Sequence, residues 1–270
     1  MGRRTDRKHR GGSRTRGSNP KHKGQNHRKL FGLILVFILA GIIMLFTLVD
    51  RKVTNIAKVN DAEVDQRIKA EGSDLIIEEK DGYTLKPNYK KPTKGLILYG
   101  DAGVSPKAYV PLGMLLAQKG YLVIIPSFLL NSPDLDGQTI KKIINDHQEI
   151  TLWAVAGHGS GGEAMSGLLE SNSKIKGAIF LASYPGDKVD LSKSSLRFVS
   201  ITGTMDHVLD LETYEERKSK LPANTMFVKI EGGNYAYFAN YADDTAAEIS
   251  RNDQQIQASV QIQNLLDQLK

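Results

Sequence analysis

The chain has 270 residues, a formal net charge of +6 and no cysteine. Its length allows a sizeable core, and 40% apolar with 24% charged residues is the composition of an ordinary globular protein. The lack of cysteine excludes disulfides, thiolate metal sites and a cysteine nucleophile.

The charge is unevenly placed. Residues 1–29 hold eleven Lys/Arg and one acid, Asp6, a net +10 that leaves −4 for the remainder. The basic isoelectric point therefore describes the tail, and the rest does not read as a nucleic-acid binder. With almost nothing apolar, the tail is expected to be disordered and cytoplasmic. It reads either as a topology signal and nothing more or as an attractor of anionic lipid or an acidic partner. Residues 30–49, LFGLILVFILAGIIMLFTLV, carry no charge and suffice for about 30 Å of helix. No small-x-small cleavage site follows, so the segment reads as an uncleaved transmembrane signal anchor. The heavier positive charge precedes it, which predicts a single-pass cell-membrane protein with residues 50–270 extracellular. Residues 50–72 are polar with weak helical character and read as a stalk.

From 73 to 270 the pattern becomes regular. Apolar, β-branched runs fall at 75–77, 95–99, 121–125, 150–155, 178–181, 198–201 and 227–230. Helical stretches fall at about 106–119, 137–146, 161–170, 212–220 and 252–269. Short apolar strands alternating with helices predict an α/β domain with a mostly parallel, doubly wound sheet. In the last helix Ala258, Ile262, Leu265, Leu266 and Leu269 form an amphipathic stripe, which Ile256 and Val260 leave. Asp134-Leu135-Asp136-Gly137 lacks the third acid and distal glutamate of a calcium loop and reads as a solvated loop.

The segment richest in chemical meaning is Val155-Ala156-Gly157-His158-Gly159-Ser160-Gly161-Gly162, a strand running through a glycine turn into a helix. Gly157-x-Gly159-x-x-Gly162 matches a dinucleotide fingerprint, but no acid for a ribose follows at Leu181–Pro185. The better reading is a nucleophile elbow of the α/β-hydrolase kind, G-x-S-x-G. Around it stand Gly95-Leu96-Ile97-Leu98-Tyr99, Val104 to Leu112, Lys119-Gly120-Tyr121-Leu122-Val123, Leu181-Ala182-Ser183-Tyr184-Pro185 and Ile230-Glu231-Gly232-Gly233-Asn234. In order and spacing these blocks resemble the small fold-5 type of α/β-hydrolases, a group often membrane-anchored in Gram-positive bacteria. The resemblance covers roughly residues 73–260 and implies an α/β-hydrolase fold.

It also makes the departures readable. The family's elbow is G-H-S-x-G-G, whereas here Gly159 stands in the nucleophile position and the serine comes one place later, at Ser160. The family's E-G-G-N-H-A becomes Glu231-Gly232-Gly233-Asn234-Tyr235-Ala236, with Tyr235 in the position of the base. The acid position keeps Asp206. A glycine accepts the strained elbow but offers no oxygen, and a tyrosine is a weak base near neutral pH. Ser160 occupies the position that lends a backbone N–H to the oxyanion hole, and its side chain is expected to point elsewhere. Gly100-Asp101-Ala102-Gly103 should supply the second oxyanion donor, and Asp101 places a carboxylate there.

The expectation is a catalytically inactive pseudohydrolase that binds a cell-envelope ligand or a protein partner, with no cofactor and no metal. The residues expected to face a ligand are Asp101, His158, Gly159, Ser160, Tyr235 and Tyr237. Tyr237 also belongs to an aromatic run with Phe238 and Tyr241 that serves either a groove or packing. One competing reading is an active esterase using Ser160 with His207 as substitute base and Asp206 as acid. Another is a membrane scaffold acting through its basic tail.

Overall fold

The computed structural model describes residues 31, 33–34, 36–41, 44, 57–135, 137–242 and 246–270. The chain divides into two compact units, Met1–Arg51 and Lys52–Lys270. In the first, the described residues are helical. The tail expected at 1–29 lies outside the described residues, as do half of the positions expected to form the anchor and Asp136 of the 134–137 loop. Among the described residues no helix is long and apolar enough to cross a membrane.

The second unit is built on an eight-stranded sheet in the order β1-β2-β4-β3-β5-β6-β7-β8. The strands are β1 (Leu75–Glu79), β2 (Gly82–Pro87), β3 (Lys94–Tyr99), β4 (Leu122–Pro126), β5 (Leu152–His158), β6 (Ile175–Leu181), β7 (Arg197–Gly203) and β8 (Met226–Ile230). Strands β3 to β8 run parallel, while β2 pairs antiparallel with both β1 and β4. The mostly parallel sheet agrees with the sequence expectation. The pattern of apolar runs missed β2, because Thr84 and Lys86 interrupt its buried Tyr83, Leu85 and Pro87. The Asp81-Gly82 pair at its start, both at positive φ, was the hairpin signal.

Consecutive side chains of a strand point to opposite faces, so the parallel strands feed two cores. One collects Leu96, Leu98, Ala154 and Ala156 under α2 (Val110–Ala117) and α6 (Arg251–Asp267). The other collects Ile97, Tyr99, Trp153, Val155 and Phe180 under α3 (Thr139–Asp146) and α4 (Ser160–Ser166). Helix α5 (Leu211–Arg217) follows β7. On α6 the predicted stripe is buried throughout, whereas Ile256 and Val260 are 41% and 45% exposed. Ser250 caps that helix by accepting from the Asp253 N–H and donating to its carboxylate.

The segment read as a stalk is part of the domain over residues 57–71. Helix α1 (Asp61–Glu71) buries Val64 completely in the first core. Lys107 holds Asp61 and Asp65 at 3.1 and 2.9 Å. Ahead of the helix, Val59 bridges Tyr241 in antiparallel fashion. The sequence signal was weak because one buried valine per helix leaves no apolar stripe. We expect Val64→Ala to cost about 2 kcal/mol in urea unfolding, since two methyl groups leave a fully closed site. An unchanged midpoint would mean that α1 is only loosely attached.

Candidate active site

The sequence puts a glycine wherever the elbow turns too tightly for a side chain. A Cβ on Gly157 would stand 2.5 Å from the Gly162 nitrogen, so strand β5 and helix α4 meet over bare backbone. Gly159, between them, lies at φ 52° and ψ −126°, a conformation L side chains rarely adopt. Its N–H donates to the Leu181 carbonyl at 3.1 Å, and its carbonyl accepts from Ser183 Oγ at 2.5 Å. The elbow is thus fully formed, with a glycine at its apex.

The space a nucleophile would use is filled. A Cβ on Gly159 would lie 2.6 Å from the Asp101 carboxylate and nearer still to the Tyr235 hydroxyl. Asp101 comes from the loop after β3. Its Oδ1 accepts from the Ser160 N–H at 2.9 Å, the Ala102 N–H at 2.9 Å and Ser160 Oγ at 2.8 Å. Its Oδ2 accepts from Tyr235 Oη at 2.7 Å. An α/β-hydrolase oxyanion hole is made from the N–H of the residue after the nucleophile and an N–H of the β3–helix loop. Ser160 and Ala102 are those two residues. The hole exists, and the chain's own carboxylate occupies it.

Ser160 therefore differs from the sequence expectation. Its side chain does not point away; it turns into the cluster, donating to Asp101 and accepting from the Ala102 N–H at 2.9 Å. The cause is the carboxylate, which attracts the hydroxyl. Among the described residues Ser160 Oγ has no imidazole partner. His207, the base of the competing reading, is exposed and forms no hydrogen bond with it.

A closed ring of hydrogen bonds locks the arrangement. The Asp101 N–H donates to Tyr109 Oη at 2.8 Å, and Tyr109 Oη lies 2.9 Å from His158 Nδ1. His158 Nε2 lies 3.1 Å from the Tyr235 carbonyl, and Tyr235 Oη returns to Asp101. A carbonyl only accepts, so this network assigns the proton to Nε2 and makes Nδ1 the acceptor for Tyr109. Both nitrogens of this fully buried ring are thus engaged, and it is no free base. Burial pushes the His158 pKa down against the opposing pull of Asp101 and Asp206. Burial, reinforced by the Asp101 charge, pushes the Tyr235 and Tyr109 phenols up, so both stay protonated as donors.

The buried neutral imidazole makes a pH prediction. Below about pH 6.5 the unfolded chain takes up a proton at His158 that the folded chain resists. Stability should therefore fall as the pH drops through that value, by about 1.4 kcal/mol per pH unit from this group until its folded pKa is reached. Urea midpoints across this range should show the slope, and His158→Gln should flatten it. An equal slope in the variant would move the effect to another group.

Asp206 stands where the acid was expected, in the loop after β7. Its Oδ1 accepts from the Val208 and Leu209 N–H groups, both at 2.9 Å. Its Oδ2 is buried and has no hydrogen-bond partner among the described residues. In a catalytic triad the acid's free oxygen holds the histidine N–H, and here Tyr235 provides none. Tyr237, expected to face a ligand, instead lies under the Arg251 guanidinium at 4.7 Å and joins none of these bonds. The structure thus brings together Asp101, His158, Gly159, Ser160 and Tyr235, and leaves out Tyr237 and His207. Sequence reasoning missed Tyr109, whose phenol is the link from Asp101 to His158. A cavity lined by Gly100, Asp101, Val104 and Phe128 has a volume of about 10 Å³, no more than a single water needs.

Comparison with known proteins agrees with this fold. The alpha/beta hydrolase family matches residues 95–256. A crystal structure of a predicted CIB-like hydrolase from Thermoplasma acidophilum is similar at a TM-score of 0.54, with 13% identity over 71% of this chain and 100% of that one. At such identity the likeness shows the fold alone. Among curated proteins, no sequence matches. With an elbow, an oxyanion hole and an acid position on a mostly parallel sheet, and a family match over most of its length, the chain belongs to the alpha/beta hydrolase family.

Proposed function

We propose that this chain is a non-hydrolytic member of its family that acts by binding a ligand or protein partner at the cell envelope. The observation that carries the reading is the Asp101 carboxylate in the oxyanion hole beside a glycine in the nucleophile position. Ester hydrolysis places a developing negative oxygen in that hole. A carboxylate already there repels it and takes both donors. Loss of the serine or histidine of one triad lowers the rate on the order of 10⁶-fold, and this chain lacks both. Residues 30–49 would anchor the chain in the membrane with the domain outside, and residues 1–29 would meet anionic lipid on the inner face. The twenty uncharged residues and the +10 tail support that placement.

The test is fluorophosphonate labelling of the full chain, with short-chain ester turnover measured alongside. We expect neither an adduct nor turnover above buffer. An adduct mapped to Ser160 would overturn the reading and favour the esterase. Protease accessibility in intact cells tests the topology: the domain should be cleaved while residues 1–29 are protected.

A further inference from the structure

The filled oxyanion hole is tied to the residues just ahead of α1. The Ala57 N–H donates to the Gly103 carbonyl at 2.9 Å, in the loop that carries Asp101. The Asn60 N–H donates to the Asn240 carbonyl at 3.1 Å, and the Ala242 N–H donates to the Lys58 carbonyl at 2.7 Å. Asn240 and Ala242 lie in the loop that carries Tyr235. Residues 57–60 thus span the two loops whose side chains, Asp101 and Tyr235, meet at 2.7 Å over the elbow. The family match begins at residue 95, so this strap lies outside the matched core.

Four donors converge on the Asp101 carboxylate: two backbone N–H groups, the Ser160 hydroxyl and the Tyr235 phenol. That set is a carboxylate receptor, and at present its ligand is part of the same chain. The loop bearing that ligand is flanked by Gly100 and Gly103, the latter at φ 78°.

We propose that residues 57–60 are a latch: engaged, they keep Asp101 in the hole; released, they let the hole take a carboxylate from another molecule. The ligand class is a monoanionic carboxylate, such as a peptide C-terminus or a free acyl chain. It follows from the donor set, since two N–H and two O–H donors match one carboxylate's two oxygens. The internal carboxylate competes at the high effective concentration of a tethered group, so the engaged form excludes external ligand. Releasing the latch lowers that effective concentration and shifts the competition outward.

The inference rests on the non-hydrolytic reading, yet the two fail separately. The experiment uses the full chain in detergent micelles, with ¹⁵N in alanine and serine, titrated with acetate against chloride at constant ionic strength. The wild-type Ala102 and Ser160 amide resonances should not move. Ala57→Pro removes the N–H that reaches Gly103, and both resonances should then shift saturably with millimolar acetate. Asp101→Ala removes the competitor and should bind more tightly than Ala57→Pro. Asn60→Pro, which removes the N–H that reaches the Asn240 carbonyl, loosens the strap a second way and covers the case that Ala57→Pro does not fold. Should Asp101→Ala not fold, Asp101→Gly replaces it. Acetate binding to the wild type would show that the hole is not sealed. Binding when Asp101 is replaced but not when the strap is loosened would refute the latch. No binding in any variant would refute the receptor. Fluorophosphonate labelling of the wild type would instead strike the non-hydrolytic reading.

Discussion

Gly159→Ser should destabilise the protein by about 2–5 kcal/mol and still give no hydrolase. The new Cβ enters at φ 52°, where L side chains are strained, and meets the Asp101 carboxylate at 2.6 Å and the Tyr235 hydroxyl closer still. For a domain of this size that is a fall in melting temperature of roughly 5–15 °C. Circular dichroism on heating measures it. Adding Tyr235→His removes one obstacle and offers an imidazole to the orphaned Asp206 Oδ2. It leaves the other obstacle in place, because Asp101 still fills the oxyanion hole. Fluorophosphonate labelling should therefore appear only when Asp101→Gly joins the other two. If Gly159→Ser melts with the wild type, Asp101 and Tyr235 move aside freely and the closed cluster is not a lock. If the pair without Asp101→Gly is labelled, the carboxylate does not block the hole.

Asp101→Ala should cost about 2–4 kcal/mol in urea unfolding, and Asp101→Asn only about 1 kcal/mol. The alanine strands the Ser160 N–H, the Ser160 hydroxyl and the Tyr235 hydroxyl, whose sole acceptor among the described residues is the carboxylate. The Ala102 N–H keeps Ser160 Oγ as acceptor, which limits the damage. Asparagine keeps a carbonyl oxygen for the two N–H donors and turns its amide N–H toward Tyr235, which then accepts. The ordering separates hydrogen-bond satisfaction from charge. Equal losses in the two variants would assign the stabilisation to the negative charge, and no loss in either would leave the cluster without a structural role.

These predictions rest on contacts that the chain order hides. The elbow was legible, because glycines at 157, 159, 161 and 162 after an apolar run fit one turn between strand and helix. Gly159 and Tyr235 were legible as departures only through the family resemblance, whose G-H-S-x-G-G and E-G-G-N-H-A blocks they interrupt. The fate of Asp101 was only half visible. Its place in the loop after β3 showed a carboxylate near the oxyanion hole, but its acceptance of both N–H donors depends on β3 and β5 lying side by side. Ser160 was misjudged because the elbow rule concerns backbone direction, whereas a hydroxyl turns toward the nearest strong acceptor.

Tyr109 and residues 57–60 mark the limit more sharply. Tyr109 looked like one more apolar position in a helical stretch, yet its hydroxyl links Asp101 to a histidine 49 residues away. The strap looked like a polar stalk, since backbone hydrogen bonds to distant loops leave no mark on side-chain pattern.

By itself, then, the sequence determined the alternation of strand and helix and the glycine elbow and, through the family resemblance, that Gly159 and Tyr235 stand at the nucleophile and base positions. The first two follow from local periodicity and from residue types that only certain backbones accept; the last is what the family's motifs imply. The tertiary structure alone decided that the chain's own carboxylate fills the oxyanion hole, and that residues 57–60 hydrogen-bond to the loops carrying Asp101 and Tyr235. Those facts depend on which loops the sheet order brings together, and no local pattern encodes that.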